Sequence, residues 1–213
     1  MIKLGSILKK YINCRFVVNF QDPLNYGFMP NLKKDNKPHI GREDAEEKYI
    51  ANSDLIVTSS VFYADILKSR FKKLKDKIHN NYFGYIEDVN LLNKKKTKSR
   101  KLRIAYTGIF SKAQSPEILF KAFKQLNDKN IELFFIGDCQ KYKPINEIKN
   151  SSVHIIKFLP HKKFLDFMSK NIDVGFVSLT RDYYGACVPS KIYEYINLGL
   201  PIIGSLPNGD CKD

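Results

Sequence analysis

Short apolar runs and helix-period stripes divide this 213-residue chain into an uneven first part and a regular second part. Cys14 to Phe20 is a β-branched and aromatic run and predicts a buried strand. An irregular stretch with Pro23, Gly27, Pro30 and Pro38 follows, then a helix from about Arg42 to Ala51. Leu55 to Thr58 predicts a second strand. Ser59 or Ser60 suits the cap of the next helix, to about Arg70, because a hydroxyl oxygen can accept a bond from an otherwise unpaired N–H. Ile78 to Phe83 predicts a third strand.

From residue 102 onward, strands alternate with helices. Strands are expected at Leu102–Tyr106, Leu133–Ile136, Val153–Lys157, Val174–Val177 and Pro201–Ile203. Helices are expected at Pro116–Leu126, Lys162–Ser169 and Pro189–Leu198, with a weaker one near Ile145–Lys149. This alternation predicts a parallel sheet covered on both faces, with ligands beyond the carboxyl ends of its strands. The loops at that edge are Thr107–Ser115, Gly137–Lys143, Phe158–His161 and Ser178–Val188. In the last helix Ile192 and Ile196 lie one turn apart and predict a core-facing stripe, with Ser190, Glu194 and Asn197 on the other side. Pro189 suits the first turn, Gly199 the position past the end, and Ile202-Ile203 a buried strand.

Charge changes this picture. Lys and Arg number 36 against 22 Asp and Glu, a net +14, which attracts anions: nucleic acid, anionic lipid or a phosphorylated substrate. Residues 93–101 are polar and cationic without apolar periodicity and read as a linker between a first domain, 1–92, and a second, 102–213. A nucleic-acid tail is the sharper reading of that run, but it lacks interleaved aromatics for base stacking, and nucleic acid is not expected as a partner. The opening twelve residues are amphipathic and basic, too polar for a secretory signal; they read as a surface helix or as one lying on a membrane. Cys14, Cys139, Cys187 and Cys211 show no zinc spacing, so no metal is expected, and scattered thiols fit a reducing cytoplasm.

Three loops carry ligand-type residues. Gly108 directly follows a strand and lets backbone N–H groups approach a phosphate, with Lys112 as an added point charge; an ordinary turn is the plainer reading. Gly137-Asp138 reads first as a turn. Gly185 to Ser190 can present N–H groups to an anion at a helix start, where Lys191 adds charge and Glu194 can accept bonds from two sugar hydroxyls. Separately each has a plain structural reading; on one edge of one sheet they form a candidate site.

These residues resemble the family-4 glycosyltransferases, which have the GT-B fold. The span Leu102–Gly209 is similar to the C-terminal, nucleotide-sugar-binding domain of that family. The similarity runs through Ile104-Ala105-Tyr106-Thr107-Gly108, Leu133-Phe134-Phe135-Ile136-Gly137 and Ile155-Ile156-Lys157-Phe158-Leu159-Pro160. It is most specific in Asn171-Ile172-Asp173-Val174-Gly175-Phe176 and in Val188-Pro189-Ser190-Lys191-Ile192-Tyr193-Glu194-Tyr195. Upstream, Phe16–Pro23 and Ala51–Thr58 look like the later part of the family's N-terminal domain.

The resemblance implies an α/β, GT-B-like fold of two Rossmann-like domains with parallel sheets, the N-terminal one incomplete. It implies that Glu194 holds the donor ribose, Gly108 lies against the diphosphate, and Val188, Pro189 and Ser190 cradle diphosphate and sugar. Phe158 and Leu159 would contact the nucleobase, and Lys191 would help neutralise phosphate, as in members with a Pro-Ser-Lys motif. The implied reaction moves a hexosyl-type sugar from a nucleoside diphosphate to an acceptor hydroxyl, with retention and without a cofactor. A glycan or lipid-linked acceptor, surface polysaccharide assembly, and a cytoplasmic place on the inner face of an anionic membrane complete the expectation. The chain departs from the pattern in three ways. Ala186 stands where the first glutamate of the E-x7-E motif falls, and the arginine and lysine of the phosphate loop are not in register. Only 15 residues precede Phe16, so the family's catalytic histidine has no counterpart and the catalytic residue is unknown; the chain is expected to be truncated at both ends. Two alternatives follow: a non-catalytic remnant that binds a nucleotide sugar or a partner subunit, and a basic nucleic-acid-binding protein.

Overall fold

The computed structural model of the chain describes residues 1–24, 46–84, 96–139, 142–180 and 185–213. The expected irregular stretch around Gly27, Pro30 and Pro38, the helix start at Arg42 and residues 93–95 of the basic run lie outside them. Within these bounds the chain forms two units, one from 1–83, 181–188 and 207–213, the other from 84–180 and 189–206.

The first unit contains α1 (Ile2–Tyr11), β1 (Val17–Phe20), β2 (Leu55–Thr58), α2 (Val61–Arg70), a 3-10 turn (Lys72–Lys77) and β3 (Ile78–Asn80). Its three strands form a parallel sheet in the order β1-β2-β3, with Val18 opposite Ile56 and Ile56 opposite Ile78. Val18, Phe20, Ile56 and Ile78 pack with Tyr63 and Leu67 of α2, and with Ile50 from helical residues 46–50. The predicted cap is Ser60, whose Oγ accepts from Tyr63 N at 3.1 Å.

A second cap lies far along the chain. Asp210 accepts from the N–H groups of Val61 and Phe62, the latter at 2.9 Å, and from the Tyr82 hydroxyl at 3.0 Å. Ala186 joins the same core, and Gly185 meets Asn208 and Gly209 so closely that a Cβ on Gly185 would lie 2.3 Å from the Asn208 carbonyl. The expected second domain, 102–213, therefore gives up 185–188 and 207–213 to the first unit. These segments carry no periodic pattern, and their place is set by contacts made across more than a hundred residues. An anionic cap at a helix N-terminus contributes about 1–2 kcal/mol. Asp210→Ala should lower the unfolding free energy by that amount, seen as a lower urea midpoint, and an unchanged midpoint would show that water replaces the carboxylate.

The second unit contains β4 (Leu102–Thr107), α3 (Glu117–Leu126), β5 (Ile131–Ile136), α4 (Lys143–Asn146), β6 (Val153–Ile156), α5 (His161–Asn171), β7 (Val174–Ser178), α6 (Ser190–Asn197) and β8 (Ile202–Ser205). All five strands are parallel, in the order β6-β5-β4-β7-β8. The chain winds outward from β4 to β6, then crosses to β7 and winds the other way, the doubly wound pattern. Alternation divides the side chains between two cores. Ile104, Tyr106, Leu133, Phe135 and Phe176 pack with Leu119 of α3 and Ile145 of α4. Ala105, Ile136 and Val177 pack with Leu165 and Met168 of α5 and with Tyr195 and Leu198 of α6.

Three expectations change here. The core stripe of α6 is not Ile192 with Ile196: Ile196 is 63% exposed, whereas Lys191, Tyr195 and Leu198 are buried and Ile192 partly so. A lysine stem supplies apolar contact as a leucine would, so reading only aliphatic residues rotates the helix. Ile202 and Ile203 are exposed rather than buried, because β8 ends the sheet order and pairs with β7 alone. The described end of the basic run does not swing free. Thr97 N donates to Lys170 O at 2.8 Å, and Arg103, buried, pairs with Asp173 at 3.0 Å.

Candidate functional site

A cavity of about 490 Å³ opens at the carboxyl ends of the second unit's strands. The loop after β4 contributes Gly108, Ile109 and Phe110, and the loop after β5 contributes Gly137 and Asp138. Phe158 and Leu159 follow β6, His161 and Phe164 come from the first turn of α5, Tyr142 precedes α4, and Glu194 projects from α6. Most of this lining is aromatic or aliphatic, while Thr107, Asp138, His161 and Glu194 supply polar groups. Such a lining suits a ligand with one flat apolar part and one hydroxylated part.

The turn at its base is made by two glycines. Gly108 has φ +100° and Gly137 φ +145°, both in the region that side chains avoid. A Cβ on Gly137 would lie 2.1 Å from the Gly108 carbonyl oxygen, so the two loops touch backbone to backbone. Gly108 N donates to Ile136 O and Gly137 N to Ile156 O, each at 2.9 Å, which prolongs the sheet ladder into the cavity wall.

α6 brings the charges. Its seat is cut by Gly175: a Cβ there would lie 2.3 Å from the Tyr195 ring. Tyr195 is fully buried, and its hydroxyl hydrogen-bonds with Thr107 Oγ1 at 2.9 Å, fixing α6 to the end of β4. One turn earlier, Lys191 is 5% exposed. Its Nζ donates to Gln114 Oε1 at 2.8 Å and stands 3.7 Å from the centroid of the Tyr106 ring. The single proton of the Tyr106 hydroxyl is shared between Ile109 O, at 2.8 Å, and Gln114 Oε1. Both partners of Lys191 are uncharged. Burial therefore lowers its pKa to about 7, with Glu194 opposing the shift. The ammonium lies directly beneath the turn, 3.9 Å from where a Gly108 Cβ would stand. Glu194, half-buried at the cavity wall, is shifted upward by loss of water, a shift that His161 and Lys191 partly offset.

Of the residues singled out by sequence, Gly108, Phe158, Leu159 and Glu194 line one cavity, and Lys191 lies under its turn. Phe158 is largely exposed at the rim. Pro189 precedes α6 as its N-cap, and Ser190 is the exposed first residue of that helix. Val188 is the last residue of its segment in the first unit. Lys112 is exposed and is not among the cavity's lining residues; its offset of four from Gly108 carries it past the turn. Sequence reading passed over Phe110, Tyr142, His161 and Phe164, and the Tyr106–Gln114 pair that receives Lys191. The spacing of Lys191 and Tyr195, one helical turn, was the available signal for the buried stripe. Nothing in the sequence marks Gln114.

No protein-family model matches the chain, and no curated protein does. Solved structures do. The glycosyltransferase from Rickettsia africae ESF-5 superposes with a TM-score of 0.71 at 15% identity, covering 98% of this chain and 56% of that one. The structure of Anabaena HepE in complex with UDP-glucose gives 0.66 at 14% identity, covering 99% and 64%. The lipopolysaccharide outer core galactosyltransferase WaaB, in its apo form, gives 0.60 at 15% identity, covering 99% and 56%. The chain thus spans 56% to 64% of the length of these structures. Its two parallel α/β sheets have the fold of the GT-B glycosyltransferases.

Proposed function

We propose that the chain is a family-4 glycosyltransferase sequence of the Pro-Ser-Lys type and that its cavity binds a nucleoside diphosphate sugar. The observation that carries this reading is the joint position of Gly108, Lys191 and Glu194: a glycine turn with a buried cation beneath it and a carboxylate on the same wall. A diphosphate laid on the turn meets main-chain N–H groups and the Lys191 charge, and Glu194 accepts bonds from the ribose hydroxyls. Val188, Pro189 and Ser190 add main-chain groups at the start of α6. The base packs against Phe158 and Leu159. Stabilising the departing diphosphate is then the main catalytic contribution of this unit. The reaction in this reading is retaining transfer of a hexosyl-type sugar to a glycan or lipid-linked acceptor in surface polysaccharide assembly. It takes place in the cytoplasm, at the inner face of the membrane. The bound UDP-glucose of the HepE structure supports a nucleotide-sugar ligand.

Calorimetric titration with UDP, GDP and ADP tests the donor site. Two hydrogen bonds to a carboxylate are each worth about 1.5–3 kcal/mol. Glu194→Ala should therefore weaken binding of the preferred diphosphate by about 100-fold or more. Equal affinity of parent and variant, or no binding by either, would remove the proposal. Assays of sugar transfer and donor hydrolysis then separate an enzyme from a binding remnant.

A further inference from the structure

The loop after β4 lays Gly108, Ile109 and Phe110 on the cavity wall and brings no cation with them; its Lys112 is exposed and not among the lining residues. What the loop supplies is an acceptor. Gln114 Oε1 receives the Lys191 ammonium at 2.8 Å and a share of the Tyr106 hydroxyl proton. The backbone that carries this amide is pinned. Ser178 Oγ, at the end of β7, donates to Gln114 O. Thr180 N donates to the neighbouring Ala113 O at 2.8 Å, and Gln114 N donates to Ser111 O at 3.1 Å. The next residue, Ser115, takes φ +39°, a left-handed conformation that a residue with a side chain keeps where its surroundings fix it. A side-chain oxygen on so fixed a backbone sets where the lysine ends. That oxygen and the Tyr106 ring favour the ammonium, in a place where burial opposes it.

We propose that Gln114 is the positioning residue of the diphosphate site: its amide oxygen holds the Lys191 ammonium charged beneath the Gly108 turn. The part played by diphosphate rests on the donor-site reading above; the hold on Lys191 does not. Other groups around the ammonium that titrate or carry charge are Glu194 and Tyr195 on α6 itself, Tyr106 on β4 and the exposed Lys112 in the loop after β4. α5 adds His161, whose charge acts on Glu194, while β7 and β8 contribute none. None of these replaces the amide. Leucine at 114 would remove the lysine's acceptor and leave the Tyr106 proton on Ile109 O. Glutamate at 114 would keep the shape and add a full negative charge.

The test reads the ammonium directly. In the whole chain, isotope-labelled at lysine Cε, the Lys191 resonance is assigned by its loss in Lys191→Met and followed against pH. Gln114→Leu should lower its midpoint by about one pH unit, since a hydrogen bond to a charged group is lost. Gln114→Glu should raise it by about two units. Calorimetric titration with UDP, GDP or ADP, whichever the parent holds tightest, then reads the consequence. Affinity of Gln114→Leu relative to the parent should fall about twofold at pH 6 and about tenfold at pH 8. A residue that merely shaped the loop would cost the same factor at both. Unmoved Lys191 midpoints in both variants, or a loss in Gln114→Leu that is equal at the two pH values, would overturn the proposal. Shifted midpoints in a chain that binds no diphosphate would uphold the grip on Lys191 and remove the donor reading instead.

Discussion

Replacing Lys191 with methionine should make the chain more stable at pH 6 and weaken its hold on a nucleoside diphosphate about 100-fold. The two effects have one cause. Lys191 is held among uncharged groups, and its pKa falls from 10.5 to about 7 because burial penalises the ammonium. A pKa unit is worth about 1.4 kcal/mol, so carrying the charge costs folding on the order of 5 kcal/mol. The contact with Tyr106 and the bond to Gln114 favour the charged form and offset part of this cost. Methionine keeps the stem's volume, and Gln114 Oε1 still accepts from the Tyr106 hydroxyl. Exchanges of this kind stabilise by about 1–4 kcal/mol.

The sign with pH follows directly. Between about pH 7 and 10.5 the unfolded chain binds a proton at Lys191 that the folded chain does not, so parent stability rises with pH through that window. The advantage of the methionine variant is full below pH 7 and shrinks toward pH 10. Urea denaturation at pH 6 and pH 9 measures both. Diphosphate affinity of the parent should also fall above pH 7, where the free site loses its charge. A variant less stable than the parent at pH 6, or a gap that does not narrow at pH 9, would contradict a desolvated cation at this position.

Gly137→Ala should destabilise the second unit by about 3 kcal/mol or more and abolish diphosphate binding with it. Two costs combine. A φ of +145° is closed to an alanine at about 1–3 kcal/mol. The added methyl must also displace the Gly108 carbonyl, only 2.1 Å away, and the atom in the way is backbone. Gly108→Ala provides the comparison. It shares a positive φ, but the nearest atoms to its Cβ are the Lys191 Cε and Nζ at 3.8 and 3.9 Å, so it bears strain without collision. Chemical denaturation should rank the parent above Gly108→Ala and Gly108→Ala above Gly137→Ala. Equal stability of the two variants would mean that the contact between the loops is soft.

Much of the frame was legible beforehand. The five strands of the second unit begin and end within about two residues of where their apolar runs place them; the runs are clearest in β4, β5 and β7, since a central parallel strand must be apolar on both faces. Ser60 was legible as a cap because its role is local. Gly108 and Glu194 are legible only jointly, as residues at one edge of one expected sheet, and both line the cavity there. In the sequence Gly137 reads as a turn and its nearness to Gly108 leaves no sign, since periodicity says nothing of the gap between two loops.

The linear order of residues by itself determined the periods, hence the strands, the helices and the parallel, doubly wound arrangement of the second unit. Tertiary structure decided three things that no local pattern encodes. It placed Asp210 on the start of α2, some 150 residues away. It turned α1 with its apolar side outward. It buried the Lys191 charge beneath a glycine turn, against Tyr106 and Gln114. Each depends on which surfaces remain to be covered once the sheets have formed. That choice is made by packing and desolvation over the whole unit, while a window of sequence registers only its own hydrophobic rhythm.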